Sequence, residues 1–160
     1  MTTLRVLLFE EDPSVLSTVC SWLIEANCEV NTQRSGGNIL ETVQRARAEV
    51  VLLDPLMGDL SNEALALLLT RCHHAGAPSV ILHSRLTKQM LRVLTNLKLA
   101  RGVIHKGIDS AEFLRTFRAL TQPDWSKPAN SQSPAASGTH RIAWKSGDVV
   151  ELNVAGRPRR

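Results

Sequence analysis

Residues 6–15 read VLLFEEDPSV: four apolar residues run straight into Glu10, Glu11 and Asp12, and then into Pro13. A short continuous apolar run is the pattern of a strand covered on both faces. Proline is well placed in a first helical turn, so a helix is expected to open directly behind the acids. Three carboxylates therefore collect where a buried strand ends. Two unit charges about 4 Å apart repel by roughly 4 kcal/mol at an effective dielectric near 20. Something must offset that cost: a raised pKa, a lysine, or a hard divalent cation with its preference for oxygen ligands.

The same alternation continues to about residue 121. LRVLLF (4–9), the weaker CEVNT (28–32), EVVLLD (49–54), PSVILHS (78–84) and GVIHK (102–106) read as strands. Between and after them, PSVLSTVCSWLIEA (13–26), NILETVQRARA (38–48), SNEALALLLTRCHHAG (61–76), TKQMLRVLTNLKLA (87–100) and DSAEFLRTFRALT (109–121) carry helical periodicity. Ser61 is a candidate N-cap and Gly76 a candidate stop. Five strand-and-helix repeats predict an α/β fold, a doubly wound five-stranded parallel sheet of flavodoxin-like type. In such sheets ligands bind beyond the carboxyl ends of the strands, where strand order reverses. With order 2-1-3-4-5, the acids of the first strand neighbour Asp54 at the end of the third, and Lys106 at the end of the fifth can supply a positive charge.

Composition bounds the alternatives. With 160 residues the chain has room for one ordinary domain and an appendage. No apolar run approaches the roughly 18 residues of a membrane span, and the first apolar stretch meets acids instead of a cleavage site. A soluble, non-exported, cytoplasmic protein is expected. Cys20, Cys28 and Cys72 are odd in number and form no CxxC pair, which suits reduced, buried thiols. Cys72, His73 and His74 are helical neighbours pointing about 100 degrees apart, so they do not converge on one ion.

The net charge of +4 is unevenly placed. Residues 1–121 hold 13 Lys and Arg against 12 Asp and Glu, and residues 122–160 hold 6 against 3. Ala64 to Ile108 contains no acid, while Arg71, Arg85, Lys88, Arg92, Lys98, Arg101 and Lys106 all fall within it. Lys88 and Arg92 share a face of the fourth helical pattern, with Met90, Leu91, Leu94 and Leu97 free to pack inward. Such a face either is solvated or attracts an acidic partner. Residues 122–139, QPDWSKPANSQSPAASGT, are rich in Pro, Ser and Ala and read as a flexible linker. In residues 140–160, RIAW and VVELNV flank KSGD as in a β-hairpin, followed by the basic GRPRR. A lone hairpin is marginal in water, so it docks, pairs with another chain, or begins something longer.

RVLLFEEDPSV, VVLLDPLMGDLS, VILHS and RGVIHKG together resemble the receiver domain of two-component response regulators, the CheY-like fold, over residues 4 to about 120. The intervals carry the resemblance: 43 residues from Glu11 to Asp54, 30 from Asp54 to Ser84 and 22 from Ser84 to Lys106. The resemblance implies a phosphorelay switch without enzymatic turnover of its own. Asp54 matches the phosphoacceptor, with a histidine kinase or phosphotransfer protein as donor. Glu10 and Glu11 match the acidic pair that holds Mg2+ with Asp54 and the backbone carbonyl of Leu56. Lys106 and Ser84 match the lysine and hydroxyl that bind the phosphoryl group. A downstream protein would read the basic face of the fourth helix and fifth strand, with a homodimer through that face as a further candidate; neither membrane nor nucleic acid is indicated.

The chain also departs from the family. Glu11 stands where aspartate is usual, and Asp12 is an alternative ligand. Arg85 follows Ser84 where a small residue is usual, Gly107 follows Lys106 where proline is usual, and Val103 replaces a frequent aromatic. A pseudo-receiver, a phosphorylation-independent interaction module on the same fold, is therefore the second reading. A flavodoxin-like cofactor binder needs a Gly, Ser or Thr loop after its first strand, where three acids would repel phosphate. An aspartyl phosphatase would need DxD there.

Overall fold

The computed structural model describes residues 2–72, 76–85 and 100–122, together with the backbone of 138–144 and 148–154. The five apolar runs form parallel strands β1 (Leu4–Phe9), β2 (Cys28–Gln33), β3 (Val50–Leu53), β4 (Ser79–Ser84) and β5 (Gly102–His105). The sheet order is β2-β1-β3-β4-β5. Register is set by Phe9 opposite both Gln33 and Leu53, and by Leu53 opposite Leu82. The described helices are α1 (Pro13–Glu25), α2 (Ile39–Ala46), α3 (Asn62–Arg71) and α4 (Ser110–Thr121). The fourth helical pattern of the sequence, with Lys88 and Arg92, lies outside the described residues, as does most of the 122–139 linker.

Alternation along the strands sends side chains to two separate cores. Leu7, Phe9, Val51, Leu53, Val80 and Leu82 meet Ile39 and Val43 of α2 and Leu65, Leu68 and Leu69 of α3. Val6, Leu8, Val50, Leu52, Ile81 and Ile104 face the other way, onto Val19 and Leu23 of α1 and Phe113 and Phe117 of α4. All four residues of β3 are buried, which explains why its sequence shows no polar alternation.

Helix ends follow local chemistry. Asp12 is the N-cap of α1, its Oδ1 accepting from the backbone N–H of Ser14 and Val15, with Pro13 in the first turn. Ser61 caps α3 through the N–H of Ala64, and Asp109 caps α4 through that of Glu112. The Arg101 guanidinium reaches the carbonyls of Leu120 and Gln122 and closes the carboxyl end of α4. At the end of α2, Arg47 adopts the left-handed conformation at φ 49°.

Downstream, β6 (Gly138–Trp144) and β7 (Asp148–Val154) pair antiparallel, with Ile142 opposite Val150. The backbone thus pairs RIAW with VVELNV, and β6 begins at Gly138, two residues inside the stretch read as linker. No described helix is long and apolar enough to cross a membrane.

Candidate functional site

Strand order reverses between β1 and β3, and both strands end in acids. The backbone N–H of Asp54 donates to the Phe9 carbonyl, which brings the residue after β3 level with the end of β1. Glu10 and Asp54 are buried, 1% and 7% exposed, and Ser84 at the end of β4 is 0% exposed. The Lys106 side chain, only 14% exposed, enters from the end of β5. Its Nζ stands 2.6 Å from Asp54 Oδ2 and 2.7 Å from Glu10 Oε2. The contact to Asp54 is a hydrogen bond, whereas that to Glu10 is an ion pair whose approach is off the hydrogen-bond direction. The lysine is the offset that the adjacent carboxylates require. Burial by itself lowers the Lys106 pKa, but the close contacts with Asp54 and Glu10 and their charges outweigh it and hold the pKa above its ordinary value.

The remaining carboxylate oxygens are held by backbone. Glu10 Oε1 accepts from the N–H of Asp12 at 3.0 Å, and Asp54 Oδ1 from that of Leu56 at 2.9 Å. Ser84 Oγ is buried without a hydrogen-bond partner, so the site holds a polar group with unused capacity. Its own carbonyl accepts from the Lys106 N–H.

Two other acids point elsewhere. Glu11 is exposed, and its Oε2 accepts from the Gly58 N–H at 3.1 Å. Asp12 is committed to capping α1, so the alternative ligand considered from sequence is already engaged. Among the described residues no three His, Cys, Asp or Glu side chains converge on a metal position. The donor types nevertheless suit a hard divalent cation: Glu10 and Asp54 supply buried carboxylate oxygens that share Lys106, and Leu56, whose N–H bonds Asp54, would offer its backbone carbonyl. Glu11 would join them by leaving Gly58. Arg85 is exposed and forms no ion pair with Asp54. Gly107 follows Lys106 at φ +90°, a conformation other side chains rarely adopt.

Sequence reasoning missed how the loop after Asp54 is fixed. Met57 and Leu60 are buried in the core, and Asp59 accepts from Ser35 Oγ at 2.6 Å and from the Gly36 N–H at 2.9 Å. Those bonds lower the Asp59 pKa, the Ser35 hydroxyl having the larger effect. A Cβ on Gly36 would stand 2.9 Å from Leu60 Cβ, so the close approach of the two loops needs glycine. The pair Gly36–Gly37 was the only available hint. His83, next to the last residue of β4, is 4% exposed, and its Nδ1 has no hydrogen-bond partner.

The fold recurs in solved structures. The chemotaxis response regulator CheY4 of Vibrio cholerae superposes with a TM-score of 0.61 at 22% identity, over 74% of this chain and 99% of that one. The BeF3-activated N-terminal receiver domain of Klebsiella pneumoniae RstA gives 0.62 at 22% identity, over 74% and 99%. The signal receiver domain of a putative LuxO repressor protein from Vibrio parahaemolyticus gives 0.63 at 21%, over 75% and 90%. No protein-family model matches the chain, and no curated protein matches it in sequence. The fold is that of CheY-like response-regulator receiver domains.

Proposed function

We propose that the chain works as a receiver in phosphorelay signal transduction, taking a phosphoryl group on Asp54 from a histidine kinase or phosphotransfer protein. The observation that supports this reading best is Lys106, buried between Asp54 and Glu10 at the reversal point of the sheet. In the transfer, Asp54 Oδ2 forms a bond to phosphorus as the P–N bond of the phosphohistidine breaks and the imidazole leaves with its electron pair. Lys106 then moves from a carboxylate partner to a phosphoryl oxygen, and the unpartnered Ser84 hydroxyl donates to another. A bound Mg2+, held by Glu10, Glu11, Asp54 and the Leu56 carbonyl, supplies neutralisation of charge on the transferred group. The three free cysteines suit a reducing cytoplasm, where such a relay would operate.

Incubation of the purified chain with magnesium and acetyl phosphate tests the proposal by intact mass. One added phosphoryl group is expected, absent from Asp54→Asn. No Asp54-dependent gain would end this reading.

A second reading, the pseudo-receiver, draws on the commitments of Glu11 to Gly58 and of Asp12 to the α1 cap. Both side chains that would complete the acidic set are occupied by backbone. On that reading the face presented to a partner protein is fixed, and the mass experiment returns the unmodified chain.

A further inference from the structure

Beside the Asp54–Lys106 pair, but on the α1 side of the sheet, lies a cavity of about 220 Å3. Its apolar wall is built by Val15, Val19 and Trp22 of α1 and by Ile108 from the loop after β5. Trp22 is fixed there by its ring contact with Phe113, at 5.3 Å between centroids. Polar residues also line it, among them His83, Arg85 and Lys106, with Gly107 beside the lysine.

Three features point to an occupant. His83 is 4% exposed, yet its Nδ1 has no hydrogen-bond partner. An orphaned buried polar atom is costly unless something completes it. The ring is also neutral near pH 7, since burial foremost, helped by the Lys106 charge and opposed by that of Asp54, holds its pKa at about 4. Arg85 sits at the rim with no carboxylate partner among the described residues, and no Asp or Glu lines the cavity. The volume lies below the 300 to 1,000 Å3 of drug-sized sites, so the occupant is of the order of ten non-hydrogen atoms.

We propose that this cavity binds a small monocarboxylate with a compact apolar body, its carboxylate on Arg85, its body against Val19 and Trp22, and a polar contact to His83. Arginine suits this role because its planar fork meets a carboxylate with two parallel bonds. Binding does not require phosphorylation, so the proposal reaches beyond the receiver reading. Because Lys106 and Gly107 line the same cavity, an occupied cavity also restrains the loop that carries the site's lysine.

Benzoate, titrated into the full-length 15N-labelled chain, is the probe, with the Trp22 indole N–H, assigned through Trp22→Phe, as the reporter. A saturable shift of that resonance and of the Gly107 amide is expected. Benzyl alcohol, which has the same body without the charge, should bind at least about tenfold more weakly, and Arg85→Gln should weaken benzoate by a similar factor. Thr18→Phe, at an exposed α1 position on the cavity mouth, should abolish the shift while leaving the spectrum folded. Benzoate should bind the magnesium-free, unphosphorylated parent chain, which separates this proposal from the phosphoacceptor reading. No saturable shift with benzoate, equal binding of benzyl alcohol, or full binding by Thr18→Phe would each overturn it.

Discussion

Lys106 Nζ and Asp54 Oδ2 are 2.6 Å apart in a setting where the lysine side chain is only 14% exposed. Removing the cation while leaving Asp54 and Glu10 buried deprives two adjacent carboxylates of the charge that offsets them. Lys106→Met is therefore expected to lose about 3 kcal/mol in urea unfolding at pH 7. Adding Glu10→Gln should recover part of that loss. The Lys106 pKa is raised in the folded state, so its contribution is complete below the ordinary value of 10.5 and disappears as pH climbs through the higher folded value. The parent chain should therefore lose stability above pH 10.5 by an increment that Lys106→Met lacks. Equal alkaline slopes in the two proteins would contradict the pairing.

His83 gives the opposite pH dependence. Its pKa is depressed to about 4 from 6.5, foremost by burial. Between those values the unfolded chain binds the extra proton, so stability falls as pH drops through the window. At 1.36 kcal/mol per pKa unit, that depression corresponds to about 3 kcal/mol. His83→Phe keeps a ring against Phe113 and removes the titration. Its stability should be flatter than the parent's by about that amount between pH 6.5 and 4. Parallel urea midpoints across the range would show that His83 is not buried neutral.

The uniformly apolar runs of β1 and β3 made two buried strands ending in acids legible, and Lys106 stood at a strand end able to answer them. The order of the strands came only from the resemblance to receiver domains, carried by the intervals between Glu11, Asp54, Ser84 and Lys106. What Glu11 does was not legible, since one methylene and a local turn decide between the acidic cleft and the Gly58 N–H. Arg85 was similarly ambiguous, because a long side chain can reach over a site or leave it. The Asp59–Ser35 bond joins residues 24 apart through two loops, and no periodicity records such a contact.

That loop contact makes Gly36→Ala informative. The new Cβ would meet Leu60 Cβ at 2.9 Å and Leu60 Cα at 3.4 Å, neither of which is the movable tip of a side chain. Overpacking of this kind costs about 1 to 3 kcal/mol. Thermal unfolding of Gly36→Ala should fall accordingly, whereas Gly37→Ala, whose Cβ would meet only Ser35 Oγ at 3.6 Å, should change much less. Equal effects would mean that the loops are not in close register.

Arg47 offers the reverse test. It closes α2 at φ 49° and ψ 34°, where an L-residue other than glycine or asparagine is strained. Arg47→Gly removes the Cβ conflict and is expected to stabilise the chain by about 1 kcal/mol, read as a higher urea midpoint with an unchanged slope. A lower midpoint would show that the arginine side chain contributes more than its backbone costs.

Glu11→Asp addresses the relay reading through the metal. The Glu11 carboxylate is held on the rim by the Gly58 N–H at 3.1 Å, and a side chain one methylene shorter loses that reach. Freed of the bond, an aspartate at this position can turn toward Glu10 and Asp54 and raise the local charge available to a hard cation. Magnesium affinity, measured by calorimetry, should tighten on the order of tenfold. Phosphorylation by acetyl phosphate should then saturate at correspondingly lower magnesium. If affinity is unchanged while the Gly58 amide shift moves, Glu11 is a loop clamp and the cation is held without it.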